Sequence, residues 1–182
     1  MNVPLIFRNL GKFVIVLAMV MVGCALLSLL WAYRGDSDES WAFEALIVCG
    51  LGGALVGGVT LFATRRTDKR LGRREAVMLV SCSWITGAFY ASLPYFVWSS
   101  IGDPDLIEPS LHSFSACFFE GMSGLTTTGA TIIDDIEAMP RGLLVWRAMT
   151  QWIGGLGIVV LFVAVLPSLG VGGKRLFMAE ST

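Results

Sequence analysis

The chain has 182 residues, of which 55% are hydrophobic and only 15% charged. Soluble domains carry roughly 25% charged residues, so this composition, with mean hydropathy +0.73, excludes a disordered chain, a disulfide scaffold and an ordinary soluble globule. A formal net charge of −1 argues against a nucleic-acid partner or a polyanionic substrate.

The apolar residues lie in long uncharged runs. The first, FVIVLAMVMVGCALLSLLWAY over 13–33, lies between Lys12 and Arg34. It is longer than the roughly 7–15 residue core of a signal peptide, and no small-x-small site follows, so it reads as a first membrane helix. The second, over 45–64, contains Gly53 and Gly57 at the G-x-x-x-G spacing that lets helices approach closely. The third covers 76–102 and the fourth 148–173, with Gly154, Gly155 and Gly157 as further packing positions. Each run has about 20 residues or more, enough for a helix across a hydrocarbon core of roughly 30 Å. None alternates with the period of a barrel strand. The expected fold is therefore all-α, with four transmembrane helices.

Between the third and fourth runs, HSFSACFFEGMSGL over 112–125 is apolar but too short to span. A segment of this length fits a re-entrant half-helix. Basic residues set the expected orientation. Arg8 and Lys12 precede the first helix, Arg65, Arg66, Lys69, Arg70, Arg73 and Arg74 separate the second from the third, and Lys174 and Arg175 follow the fourth. The opposite side holds Arg34 and Arg141 among Asp36, Asp38, Glu39, Asp103, Asp105, Glu108, Asp134, Asp135 and Glu137. The positive-inside rule places both termini of this segment in the cytoplasm. The segment 110–131 then dips into the membrane from outside and returns there.

Several features carry no chemistry. Cys24, Cys49, Cys82 and Cys117 are well separated in apolar stretches, as small buried residues would be. His112, the single histidine, has no partner for a transition-metal site or a catalytic triad. GVGGKR over 170–175 lacks the Ser or Thr and the glycine spacing of a phosphate-binding loop. The spans offer no paired catalytic groups beyond Glu120 and Arg147, so the chain is not expected to be an enzyme.

The informative stretch is SGLTTTGAT over 123–131, directly after the short helix. Non-helical backbone at membrane depth must line water or be buried in protein. A row of carbonyl oxygens held inward can replace the hydration shell of an alkali cation. Gly129 permits dihedrals that a β-carbon forbids, and the half-helix would turn its carbonyl end towards the same place. The residues alone admit a filter or a plain Thr/Gly-rich loop. Glu120 and Arg147 are expensive at membrane depth unless partnered. They either brace the loop, through a pair or through backbone hydrogen bonds, or Arg147 snorkels outward. Asp134, Asp135 and Glu137 either concentrate cations at an outer mouth or form a solvated loop.

The run FFEGMSGLTTTGATIIDDIEAMPRGLLVWRAMTQWIGGLGIVVL over 118–161 resembles the first pore repeat of Trk-type bacterial potassium uptake proteins, of the Trk/Ktr/HKT superfamily. The matching pieces are FFE-x-x-SG-x-TTTGAT and WR-x-x-x-QW-x-GG-x-GI-x-V, and the tail 163–181 also fits. The two helices before the repeat resemble the N-terminal pair of the TrkH/TrkG branch. The resemblance implies an N-terminal helix pair over 1–70, a helix–pore loop–helix repeat over 71–175, and the start of a cytoplasmic linker over 176–182. It implies potassium as the transported ion, with no organic cofactor. The main-chain carbonyls of Thr127, Thr128, Gly129 and Ala130 would coordinate it, flanked by Thr126 and Thr131. It also implies the bacterial inner membrane, a homodimer of the full-length protein and a cytosolic TrkA-type nucleotide-binding regulator. Family members arrange four repeats around one pathway, whereas this sequence holds one. The expectation is an N-terminal portion of a longer chain; four assembled copies or a non-conducting assembly or regulatory subunit are the alternatives.

Overall fold

The computed structural model describes residues 3–35, 38–67, 73–102 and 109–165. Among them are five α-helices and one 3-10 turn: α1 (Val3–Ala32), α2 (Asp38–Ala63), α3 (Arg73–Ile101), the turn Pro109–His112, α4 (Phe114–Leu125) and α5 (Arg141–Val165). There is no strand among the described residues.

Three of these helices, α1, α2 and α3, are long and apolar enough to cross a membrane. Their lengths follow from their composition, since long uncharged runs satisfy their backbone internally only as helices. The 30 residues of α1 extend about 45 Å, beyond a hydrocarbon core of roughly 30 Å. The fourth expected run, 148–173, is helical to Val165 within α5. Its remainder lies outside the described residues, as do Lys69, Arg70, Asp36, Asp103, Asp105, Glu108, Lys174, Arg175 and the linker 176–182.

In lipid, helix association relies on close packing and hydrogen bonds rather than on hydrophobic burial. The α1–α2 pair shows how this is met. A β-carbon at Gly57 would lie 2.8 Å from the Gly11 carbonyl oxygen, and one at Gly50 would lie 2.8 Å from the Val22 side chain. Later α2 residues meet earlier α1 residues, so the pair is antiparallel. Gly53 faces a different helix, its missing side chain leaving room for the Tyr90 ring of α3. The Tyr90 hydroxyl donates to the Cys49 carbonyl at 2.9 Å. The glycine pair in α2 thus serves two neighbours. Among the three glycines expected to pack in the fourth helix, Gly154 lies hard against the Leu125 backbone, while a β-carbon at Gly155 would lie 3.9 Å from the Thr127 side chain and one at Gly157 would meet nothing within 4 Å.

The two ends of the bundle differ in charge. At one end, Arg8 donates to the Thr67 carbonyl at 3.4 Å and the Arg65 guanidinium lies 4.4 Å from the Phe62 ring centroid. At the other, Asp38, Glu39, Glu137 and Arg141 line a cavity of about 160 Å³ with Ala138, Met139 and Pro140.

Candidate functional site

The site is built on α4, which is wedged between α3 and α5. Two glycines permit the wedge. A β-carbon at Gly121 would lie 2.7 Å from the Ala88 carbonyl oxygen of α3, and one at Gly124 would lie 2.5 Å from Thr150 Oγ1 of α5. Phe114 stacks edge-on against Phe96, with centroids 5.5 Å apart, and tilted against Phe89 at 5.6 Å. Trp146 of α5 is fully buried and donates its indole N–H to the Ala91 carbonyl of α3 at 3.0 Å.

Helix α4 ends in a tightly bonded reversal. The Thr127 amide donates to the Gly124 carbonyl at 3.0 Å, and the Thr128 amide to the Ser123 carbonyl at 3.0 Å. This pair of bonds is the Schellman pattern, in which the residue after the cap adopts the left-handed conformation. Thr127 holds that position with φ of 58°. A β-branched residue there is an outlier, at a cost of about 1–3 kcal/mol. Gly129 follows with φ of 75°, whereas Thr128 and Ala130 are not positive. The backbone therefore alternates in handedness across 127–130.

This alternation has a geometric consequence. In a trans peptide the N–H and the preceding C=O point in opposite directions. The amides of Thr127, Thr128 and Gly129 turn back onto the last carbonyls of α4, with Gly129 at 3.5 Å from Ser123. The carbonyls of Thr126, Thr127 and Thr128 therefore face away from α4. Residues 127–131 are exposed. Among the described residues, nothing donates to the Thr127 or Thr128 carbonyl.

The chain then runs back along α4 towards the end it came from. Ser123 Oγ donates to the Ala130 carbonyl at 2.5 Å. The Thr131 hydroxyl and the Ile132 amide each donate to Glu120 Oε1 at 2.7 Å. Ser110 Oγ donates to the Ile132 carbonyl at 3.4 Å. As the loop advances from 128 to 132, its partners step back from Ser123 to Glu120 to Ser110, so the segment reverses direction beside the helix.

One ion pair ties this return to α5. Arg147 Nε donates to Glu120 Oε2 at 3.2 Å, with the Glu120 side chain wholly buried and Arg147 15% exposed. Arg147 Nη2 reaches the Gly129 and Ala130 carbonyls, each at 3.3 Å. Of the two open readings of Arg147, it is the inward pair that is adopted, and the bond to backbone comes with it. The Ala130 carbonyl accepts from both Ser123 and Arg147, which fills its two acceptor positions, whereas Gly129 retains one.

The acidic residues beyond the loop divide. Asp134 is exposed. Asp135 Oδ1 accepts the Glu137 amide at 3.0 Å and the Ala138 amide at 3.2 Å, which turns the chain into α5. Glu39, counted in sequence as one more charge on that side, is instead buried and bonded to the start of α5. Of the remaining groups, His112 ends the 3-10 turn and is exposed. All four cysteines are free. No group of three or more His, Cys, Asp or Glu side chains is placed to hold a metal ion among the described residues.

A family model described as a cation transport protein, TrkH, matches residues 50–182. The Trk system potassium uptake protein TrkH of Halomonas elongata is 35% identical over 181 residues, covering 99% of this chain and 34% of that protein. The Trk system potassium uptake protein TrkG of Escherichia coli K12 is 37% identical over 125 residues, covering 69% of this chain and 24% of that protein. The crystal structure of the potassium transporter TrkH from Vibrio parahaemolyticus matches with a TM-score of 0.73 at 32% identity, over 95% of this chain and 34% of that one. The chain thus spans about a third of the length of the TrkH proteins it matches.

Proposed function

This chain belongs to the TrkH family of cation transport proteins, and from that premise we propose that it supplies one helix–pore loop–helix unit of a potassium pathway. In this reading α3, α4 with its return, and α5 form the repeat over 71–175, and α1 and α2 form the N-terminal pair over 1–70. Helix α4 is the re-entrant half-helix and α5 the fourth span. The ion carried is K+.

The observation that carries the reading is the alternating backbone at 127–130, closed onto α4 from within and open on its outer side. Carbonyl oxygens presented in this way substitute for water around a poorly hydrated cation. Among the described residues, the Thr127 and Thr128 carbonyls are unengaged and Gly129 keeps one free acceptor position. Ala130 would coordinate only when Ser123 or Arg147 yields. Thr126 and Thr131 flank the row. Glu120 and Arg147 brace it, and Asp134 and Asp135 raise the cation concentration at its outer mouth.

One repeat contributes one side of a coordination ring. The other sides come from further repeats, and the full-length protein works as a homodimer with a cytosolic TrkA-type regulator. The bilayer is the bacterial inner membrane. The basic end, with Arg8, Arg65 and Arg66, faces the cytoplasm, as the excess of Lys and Arg there favours.

Gly129→Ser tests the filter. A β-carbon at Gly129 meets nothing within 4 Å, so the substitution acts through the backbone alone. A non-glycine residue in the left-handed region costs roughly 1–2 kcal/mol. In a potassium-uptake-deficient host carrying the complete protein, the expected result is a loss of K+-over-Na+ preference of about tenfold. Unchanged preference at equal membrane abundance rejects the assignment.

A further inference from the structure

Glu39 sits in the first turn of α2, in the N-terminal pair, yet it is only 2% exposed. Its carboxylate takes donors from two other helices. Ser28 of α1 donates to Oε2 at 2.7 Å. The Gly142 amide of α5 donates to Oε2 at 3.1 Å, and the Arg141 amide donates to Oε1. These two amides open α5, where backbone donors lack intrahelical partners and the helix dipole favours a negative charge.

Helices are usually capped by the residue just before them. Here that residue is Pro140, whose side chain has no acceptor. The cap comes instead from more than a hundred residues away in sequence. The fit leaves little slack, since a β-carbon at Gly142 would lie 2.6 Å from the Ser28 side chain and 3.2 Å from Glu39 Oε2.

Six residues beyond Arg141, about 9 Å along the helix, stands Arg147 with its bonds to Glu120, Gly129 and Ala130. A helix is a stiff rod over that distance, so whatever fixes its first turn fixes the height of Arg147. We propose that Glu39 is a positioning residue for ion discrimination: by holding the start of α5 against α1 and α2, it sets Arg147 level with the filter carbonyls. The inference rests on reading 127–130 as the filter. It assigns the N-terminal pair a share in selectivity.

The test uses the complete protein in a potassium-uptake-deficient host, with rubidium-tracer uptake, half-saturating K+ and Na+ inhibition all normalised to membrane abundance. Glu39→Gln keeps the length but turns an amide N–H2 towards donors. It is expected to raise half-saturating K+ about fivefold, the factor typical of losing one cap, and to weaken K+-over-Na+ preference. Glu39→Asp, with the carboxylate one methylene short, recovers part of both. On an Arg147→Gln background, Glu39→Gln adds nothing further, because residues acting through one another are not additive.

A change in abundance alone, or a full additive effect on that background, overturns the proposal. If Glu39→Gln fails to reach the membrane, Ser28→Ala removes one of the three donors and is read by the same constants. It is expected to give a smaller shift in the same direction, and unchanged constants reject the idea. Gly129→Ser separates the two levels. If it leaves discrimination intact, the filter reading falls. If it alters discrimination while Glu39→Gln does not, only the role of Glu39 falls.

Discussion

If 127–130 is the filter proposed above, an arginine beside it is an electrostatic liability that Glu120 is placed to remove. The Arg147 guanidinium is 3.3 Å from two loop carbonyls. A cation on the open acceptor position of the Gly129 carbonyl would stand roughly 6 Å from its charge, one hydrogen-bond length plus one cation–oxygen contact. At an effective dielectric of 20 the repulsion is about 3 kcal/mol. Arg147 is 15% exposed and residues 127–131 are exposed, so screening leaves about half of that, close to a tenfold loss of cation affinity. The buried Glu120 carboxylate, 3.2 Å from Arg147, cancels it. Glu120→Gln deletes the countercharge and still lets its carbonyl oxygen accept from Thr131 and Ile132. The expected outcome is a rise of about tenfold in half-saturating K+, measured by rubidium-tracer uptake in the complete protein. Glu120→Gln with Arg147→Gln removes both charges and is expected to bind K+ more tightly than Glu120→Gln alone. If the double variant is no better than the single one, the charge argument is wrong and the pair acts only as a brace.

Two further substitutions probe the backbone around the loop. Gly154→Ala places a methyl group against the Leu125 backbone and forces α5 away from α4. Overpacking of this kind costs about 1–3 kcal/mol, and thermal unfolding in detergent is expected to drop by several degrees, whereas Gly157→Ala, with open space around it, leaves it unchanged. Thr127→Gly relieves the left-handed strain of about 1–3 kcal/mol and keeps the Schellman bonds. Detergent stability is expected to hold or rise while K+-over-Na+ preference falls, because glycine also frees the loop to leave its single conformation. A variant that keeps full discrimination would show that the threonine strain has no part in selectivity.

The helices were legible in the sequence because hydropathy is a local property. Uncharged runs bounded by Lys12 and Arg34, by Glu44 and Arg65, and by Glu75 and Asp103 give α1, α2 and α3. The end of the short apolar segment at Leu125, just before the threonines, was legible for the same reason. Glu120 and Arg147 stood out because a charge in an apolar setting needs a partner, and the two are partnered with each other. Glu39 was not legible. Its partners are backbone amides of residues 141 and 142, which carry no side-chain signature, and it lies among other acids of a loop region. The one local sign was negative: α5 starts after a proline that cannot cap it. The two directions faced by Gly53 and Gly57 were hidden too, since G-x-x-x-G spacing states that a helix is approached closely but not by which neighbour.

The loop at 127–131 has almost no side-chain packing to hold it. It is exposed, and the position of the Gly129 β-carbon is open. Its shape is therefore imposed from within, through amides closed onto the end of α4 and carbonyls gripped by Ser123 and Arg147. Such a construction leaves its outer carbonyls without a donor among the described residues, which packing from outside would not. It also makes the shape depend on groups that never face the exposed side. Glu120 is the junction, since one carboxylate oxygen holds the returning chain and the other holds Arg147. Arg147 in turn takes its height from a helix whose first turn is anchored by Glu39. Substitutions along this line should therefore alter the ion preference while leaving every residue of the loop itself in place.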